Sequence, residues 1–540
     1  MPASLIRCER RLFLLVSLQG RVIGGWKPPL RSAIRLFLLV SLLAWGVSDC
    51  RSAQEAPPKE SLKPQESVKA EDSMKEETWQ VIYLSGQRIG YSRSLVETVT
   101  HEGETIVKTS ANTFMSIKRF GQTLEMKQIL ATEETAEGDL RRFRFEMANP
   151  PAMSSVTSGQ IEGKELALSQ EVNGKAKTST QAWKEGVKSP VFQDRAMKKN
   201  PLKPGETRTF ETFVPEFAKV GTTTMKAHDT VETELLDGQK RKLFRVSVSN
   251  SLLPGFSMDS FLDDNGETVK VSSKMLGSAM DIYVVSQTEA LKAIEGAELD
   301  LAVNTLVKVK PLLKGHETKR IVYRVEITDQ DPLELIPAGD TQTLKRLSPE
   351  SAELTVISLP IPKPATAGTA AAEYLESSQY LQRDDERVQK HAARAAGDAT
   401  DAGEIARRME NYVREKLNKK NFSTAMASAA EVARNLEGDC TEHAVLLAAM
   451  LRAKGIPSRV VVGLVYADRL FAFGGHMWAE AFLNDQWVPL DATLGLGGIG
   501  AAHIKLADSS LSDDGPAAMS GFAPLMNVIG SLKLEVISVE

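Results

Sequence analysis

The sequence predicts an α+β protein, with an N-terminal all-β antiparallel region followed by an α+β domain. Three observations carry this expectation. From Trp79 onward apolar residues recur at period two between Gly-containing turns. From about Ala370 the period becomes helical, with capping residues at the helix starts. A nearly all-apolar helical stretch then precedes β-branched and aromatic runs. The chain has 540 residues, 42% hydrophobic and 25% charged, enough to bury a core, which excludes a wholly disordered chain or a multi-span membrane protein. Formal net charge is −4. The first 50 residues carry seven Arg and Lys against Glu9 and Asp49, leaving residues 51–540 near −9. A mildly acidic body without a basic stripe argues against nucleic acid as the partner.

Taken in order, residues 1–50 read as a targeting segment. The octapeptide RLFLLVSL occurs at Arg11–Leu18 and again at Arg35–Leu42, and the second copy extends to Val47. A run of that length behind Arg31 and Arg35 is too short to span a bilayer, which takes about 20 residues, and suits the apolar core of a signal peptide. Gly46-Val47-Ser48 supplies a small-x-small cleavage pattern. The expectation is an exported protein, periplasmic or extracellular, with no integral span in the mature chain. Cys50 is the candidate for a lipid tether. Residues 51–77, rich in Pro, Glu, Lys, Ser and Gln, read as a solvated linker. Residues 78–362 read as β-rich, divisible into two subdomains near Asn200–Glu206. Hairpin signals stand at Ser85-Gly86, Asn173-Gly174, Asp237-Gly238 and Asn265-Gly266. Phe244, Val246 and Val248 alternate with Arg245, Ser247 and Ser249, as in a half-buried strand. Pro360–Pro364 marks the boundary of a domain over 363–540, with its core at 400–505.

Within that domain Asp401/Glu404 and Ser428/Glu431 have the spacing of helix N-caps with N3 partners, and Ile405, Met409, Tyr412, Val413 and Leu417 share a helical face. Asp439 and Glu442 repeat the spacing, the run Ala444–Leu451 follows, and Gly455 with Pro457 closes the helix. Cys440 then occupies the first helical position, where unpaired amides and the positive end of the helix dipole favour a thiolate. Arg459–Tyr466 reads as a strand, Ala467–Gly475 as a loop, and His476–Leu483 and Gln486–Asp491 as a hairpin across Asn484-Asp485. That register sets Leu483 opposite Gln486, so Asp491 lies diagonally from His476 on one face, within side-chain reach. Cys440, His476 and Asp491 thus offer a nucleophile, a base and a group to orient the base.

The segments GDCTEHAVLLAAMLRAKGIPSRVVVGLVY and GGHMWAEAFLNDQWVPLDAT resemble the transglutaminase-like superfamily over roughly residues 370–505. The resemblance implies a papain-like fold, with Cys440 as nucleophile, His476 as its base and Asp491 as the third member. Ala492 stands where many relatives carry Pro. The 78–362 region resembles, more loosely, N-terminal extensions of exported bacterial members. The implied activity is acyl transfer through a thioester on peptide or glutamine amide bonds, by a cysteine protease, deamidase or transglutaminase, with a protein or peptide as substrate. The rival reading is a non-catalytic secreted binding protein that uses the fold as a scaffold. Trp478, Phe473 and Gly475 are the candidates for substrate contact, with 471–475 as a gating loop. Trp478 and Trp487 otherwise read as core or groove-wall aromatics, His443 as a packing residue and Glu480 as a structural carboxylate. His101, His228, His316, His391 and His503 read as surface residues. No metal, nucleotide or flavin signature is visible, and a zinc site from Cys440, His443 and His476 lacks a fourth ligand. Three cysteines, Cys8, Cys50 and Cys440, cannot build a disulfide framework.

Overall fold

A computed structural model describes residues 72–540 apart from 102–103, 120–121, 150–153, 173, 254, 276, 295–304, 421–425, 496–498, 514–524 and 526–527. The targeting segment, Cys50 and residues 51–71 of the expected linker lie outside the described residues, and residues 72–77, read as linker, belong to the first strand of the large sheet. The α+β expectation holds. One antiparallel sheet of fourteen strands fills the N-terminal region, and helices with two smaller sheets follow it.

The large sheet is built from two meanders. Strands β1 (Asp72–Leu84) to β8 (Lys175–Ala182) run in sequence order, and so do β9 (Thr207–Val214) to β14 (Ser278–Val285). The meanders meet where β1 pairs with β14, with Val81 opposite Tyr283. The link between them, including Asn200–Glu206, carries helix α1 (Phe192–Lys199). Hydrogen bonding therefore runs unbroken across both halves. Tight turns set the registers: Ser85 and Gly86 both adopt positive φ, the geometry a two-residue hairpin needs, and Leu84 pairs with Gln87. Val172 likewise pairs with Lys175 across Asn173-Gly174. Val246 and Val248 are buried while Arg245 and Ser247 are half-buried, as their alternation predicts.

The turn from β9 to β10 (Lys219–Glu234) buries Glu216, whose carboxyl oxygens have no side-chain partner. Burial pushes its pKa up from 4.5 to about 8. The native state therefore holds the neutral acid. Its contribution to stability is complete below pH 4.5 and is lost as pH rises through about 8. Glu216→Gln is expected to match the native protein at pH 5 and exceed it by about 2–4 kcal/mol at pH 9. Denaturant midpoints at the two pH values check this.

Helices α2 (Glu386–Ala396), α3 (Ala402–Lys416) and α4 (Ala429–Asn435) surround α5 (Cys440–Ala453). Every residue of α5 from Thr441 to Arg452 is buried. The helix ends in a Schellman motif, with Gly455 at φ 75° and Ile456 donating to the Leu451 carbonyl. Buried Arg452 donates to the carbonyls of Ser458, Ser510 and Glu376, which ties the helix end to the strand after it. His391 is not a free surface residue: its ring bonds the Tyr412 hydroxyl at 2.8 Å and the Ala433 carbonyl at 3.0 Å, joining α2, α3 and α4.

Strands β19 (Ser458–Ala467), β20 (Ala472–Leu483), β21 (Gln486–Leu490) and β22 (His503–Ser509) form the sheet on which α5 lies. The short β15 (Val307–Lys308) extends the sheet by pairing with β20. A third sheet joins β16 (Arg320–Ile327), β17 (Gln342–Ser348) and β18 (Ser351–Ile357) to the C-terminal β23 (Leu532–Val539). One apolar core runs from Ile82 and Met280 in the large sheet through Tyr323 and Leu354 to Val445 and Leu490.

Candidate active site

The segment before Cys440 has a conformation that its residues dictate. Leu436 ends α4 in the left-handed region and Gly438 has φ 149°. A Cβ on Gly438 would collide with the Glu442 side chain, so glycine is required on two grounds. Asp439 caps α5 by accepting from the Thr441 amide at 2.7 Å, and Glu442 returns to the Asp439 amide at 3.0 Å, the capping box expected from the spacing. The other oxygen of Glu442 accepts from the Ala427 amide, which pins the approach to α4 against the start of α5. Burial, with Asp439 beside it, holds the Glu442 carboxyl well above its ordinary range. Cys440 occupies the first helical position and remains partly exposed, while the helix behind it is buried.

His476 comes from the middle of β20, paired with Gly463 of β19. Asn484 and Asp485 both adopt positive φ, which sets Leu483 opposite Gln486, the predicted register. The strand expected to reach Asp491 stops at Leu490. Asp491 opens a turn in which its Oδ1 accepts from the amides of Thr493 (2.8 Å) and Leu494 (3.2 Å), and its own amide donates to buried Glu410 of α3. Thus anchored, Oδ2 faces the sheet and accepts from Nε2 of His476 at 2.8 Å. Cys440 lies beside that imidazole, near enough to help raise its pKa.

The electrostatics follow from burial. Removal from water disfavours the His476 cation, but the Asp491 carboxylate, the Cys440 sulfur and the hydrogen bonds to both outweigh it and push the pKa up to about 10. Burial likewise opposes the Asp491 charge, and the two imidazoles beside it hold its pKa well below the ordinary carboxylate range. The arrangement can keep a proton on His476 between a sulfur and a carboxylate.

The second imidazole was not anticipated. His503, expected at the surface, is buried, and its Nε2 lies 3.1 Å from the same Oδ2. The signal was present in its neighbours, since Ala501, Ala502, Ile504 and Leu506 are apolar. What the sequence could not show is that β22 pairs with β19 on the side away from β20. Glu410 was also missed; it is a carboxylate among the apolar residues of the buried face of α3.

Trp478 is buried beside these groups rather than placed along an open cleft. Its ring lies edge-on to His503 at 5.4 Å and stacks beside His476 at 6.2 Å, over Val461 and Ile499. Gly463 makes the room. A Cβ there would stand 2.6 Å from the Trp478 ring and closer still to the Ile504 carbonyl. Gly463→Ala is therefore expected to force β22 from β19 and cost about 1–3 kcal/mol, read from equilibrium denaturation.

The remaining predicted positions separate. The expected loop 467–475 shrinks to residues 468–471, and Ala472 to Gly475 belong to β20. Phe473 is fully buried against Tyr323 and Tyr466 and is a core residue, not a substrate contact. Its strand position also overturns the gating loop: pairing with Val307 on one side and Tyr466 on the other holds it fast. Gly475 is exposed one residue before His476. Trp487 packs against Tyr374 and Phe482 and beneath the Arg459 guanidinium. Glu480 is buried and bonded to Arg459 and Lys505, as a structural carboxylate should be. His443 packs inside α5, its Nδ1 on the Asp439 carbonyl, and burial lowers its pKa to about 4. The ligand atoms of His476, Asp491 and His503 lie within 4.8 Å of one another and are of types that can hold a divalent cation. Their 2.8 and 3.1 Å separations are those of N–H···O bonds.

Comparison with known proteins adds the family. Residues 389–492 match the model of the transglutaminase-like superfamily. Comparison with the curated proteins gives no match. Among solved structures, a candidate cysteine protease from Cytophaga hutchinsonii is similar at 15% identity and a TM-score of 0.27, covering 42% of this chain and 89% of the other. A β-barrel-like protein of a domain of unknown function from Brucella abortus matches at 14% identity and 0.27, covering 39% and 96%. A candidate protease from Parabacteroides distasonis matches at 14% identity and 0.18, covering 65% and 68%. With the match spanning α3, α4, α5 and the hairpin that carries His476 and Asp491, this chain contains, over residues 389–492, a domain of the transglutaminase-like superfamily.

Proposed function

We propose that the chain is a cysteine-nucleophile acyl-transfer enzyme acting on peptide or glutamine amide bonds of a protein or peptide substrate. The observation that carries this reading is His476, hydrogen-bonded to Asp491 with Cys440 beside it and with its pKa pushed up to about 10. Such an imidazole can carry a proton at neutral pH and hand it to a leaving group as the sulfur attacks.

In the proposed cycle the Cys440 thiolate attacks the amide carbonyl carbon and the C=O electron pair moves to oxygen. The Cys440 amide, at the start of α5, is the nearest donor for that oxyanion. Collapse of the adduct breaks the C–N bond as His476 gives its proton to the departing nitrogen, leaving a thioester and ammonia or an amine. The now neutral imidazole takes a proton from water or from a lysine amine, which attacks the thioester and releases the thiolate. Water makes the enzyme a protease or deamidase, and the amine makes it a transglutaminase. Asp491 stays ionised throughout and holds the ring in the required orientation.

Catalysis is assigned to residues 363–540. The apolar run Leu36–Val47 behind Arg31 and Arg35 supports export. Among the described residues no helix is long and apolar enough to cross a membrane.

The test has two arms: alkylation of the folded protein with iodoacetamide at pH 7, and, on a separate unmodified sample, incubation with casein with and without a fluorescent primary amine. Rapid modification of Cys440 and either new amino termini, released ammonia or incorporated amine are expected, and the product distinguishes the three reactions. A thiol that reacts only after denaturation returns the protein to the scaffold reading.

A further inference from the structure

Asp491 has more partners than a single histidine requires. Its Oδ1 is held by two turn amides, while Oδ2 receives Nε2 of His476 and Nε2 of His503 together. A carboxylate has about four lone-pair sites, so His503 completes the set. In a fully buried position a missing donor would leave one site with neither protein nor water.

His503 is built to donate in one direction. Its Nδ1 is buried without a hydrogen-bond partner. The neutral Nε2–H tautomer leaves only a lone pair there, whereas a protonated ring would bury an unpaired N–H. The groups facing it are Asp491, His476 at 6.1 Å between ring centroids, and His316 at 5.7 Å, with Trp478 edge-on at 5.4 Å. Burial, with His476 and His316 nearby, keeps its pKa lowered despite Asp491. A neutral donor adds no second positive charge next to His476, so it steadies the carboxylate without competing for its charge.

The fold makes special provision for this contact. His476 and His503 stand on strands flanking β19, opposite Gly463 and Val465 respectively. The missing side chain at Gly463 makes room for Trp478 beside both rings, which converge on one oxygen. We infer that His503 is a positioning residue: by donating to Oδ2 it fixes the Asp491 carboxylate in the rotamer that orients His476 toward Cys440. This inference rests on the acyl-transfer reading of Cys440 and His476.

Iodoacetamide alkylation of Cys440 in the full-length protein tests it without a substrate. His503→Phe keeps a ring of similar size and removes the donor. His503→Asn keeps an amide that stops where Nδ1 stands. His503→Gln carries its amide nitrogen to the place of Nε2. With thermal unfolding as the control for folding, the Phe and Asn variants are expected to alkylate about ten- to a hundredfold more slowly at pH 7, the range of one charge-assisted hydrogen bond. The Gln variant is expected within about threefold of the native rate. Native-like alkylation in folded Phe or Asn variants overturns the positioning role, as does a Gln variant as slow as they are, since that pattern marks packing alone. If the native Cys440 itself reacts only when unfolded, the acyl-transfer reading fails and this inference with it. Fast native alkylation that is unaffected by His503→Phe removes this inference alone.

Discussion

Cys440→Ala is expected to lower turnover of an amide substrate by at least about four orders of magnitude, the scale seen when a covalent nucleophile is deleted. The fold should survive. Cys440 is only partly buried, and the first turn of α5 is held by Asp439 and Glu442, which the substitution leaves in place. Thermal unfolding within about 1 kcal/mol of native, together with loss of ammonia or amine release, is the expected pair of results. Activity within tenfold of native would dismiss Cys440 as nucleophile. Loss of activity together with loss of folding would instead mark the thiol as a packing group, which its partial exposure argues against.

Asp491→Asn should damage both chemistry and stability. One carboxylate oxygen accepts two backbone amides and the other accepts two imidazoles. A carboxamide has one oxygen and one NH2 group, so either orientation turns donors against donors. The expected cost is about 2–4 kcal/mol of stability and about a thousandfold in kcat. The pH dependence carries a sign. The His476 pKa is raised from 6.5 to about 10, so its contribution to stability is complete below pH 6.5 and is lost as pH rises through about 10. Without the carboxylate that pKa must fall, and the alkaline limb of the activity profile must move to lower pH. A variant whose alkaline limb stays in place would mean that Asp491 does not set the charge of His476.

Most of the local geometry at the site was legible in the sequence because it is written in short-range rules. Asp439 and Glu442 are three residues apart, so the capping box and the placement of Cys440 at the head of α5 follow from helix spacing. Asn484-Asp485 is a two-residue turn, so the β20–β21 register follows from hairpin geometry. The same reasoning places Ser85-Gly86 at the first hairpin. It fails at Phe473, where paired glycines suggested a loop. Pairing with Val307, more than 160 residues earlier, makes that segment a strand and its ring a core group. It falls short at Asp491 as well, because the strand yields one residue early to a turn held by Glu410 of a distant helix.

The sequence by itself determined the capped helix starts, the sulfur at one of them, and the tight turn of the hairpin that brings His476 within reach of Asp491. These depend on spacings of two to four residues, over which backbone periodicity acts directly. Only the tertiary structure decided which strands became neighbours: β14 on β1, β22 on β19, and β23 on β16. Nothing local encodes such pairings, since they arise from the burial of apolar faces separated by tens to hundreds of residues. For that reason His503, unremarkable in its own stretch of chain, became the second imidazole on the Asp491 carboxylate.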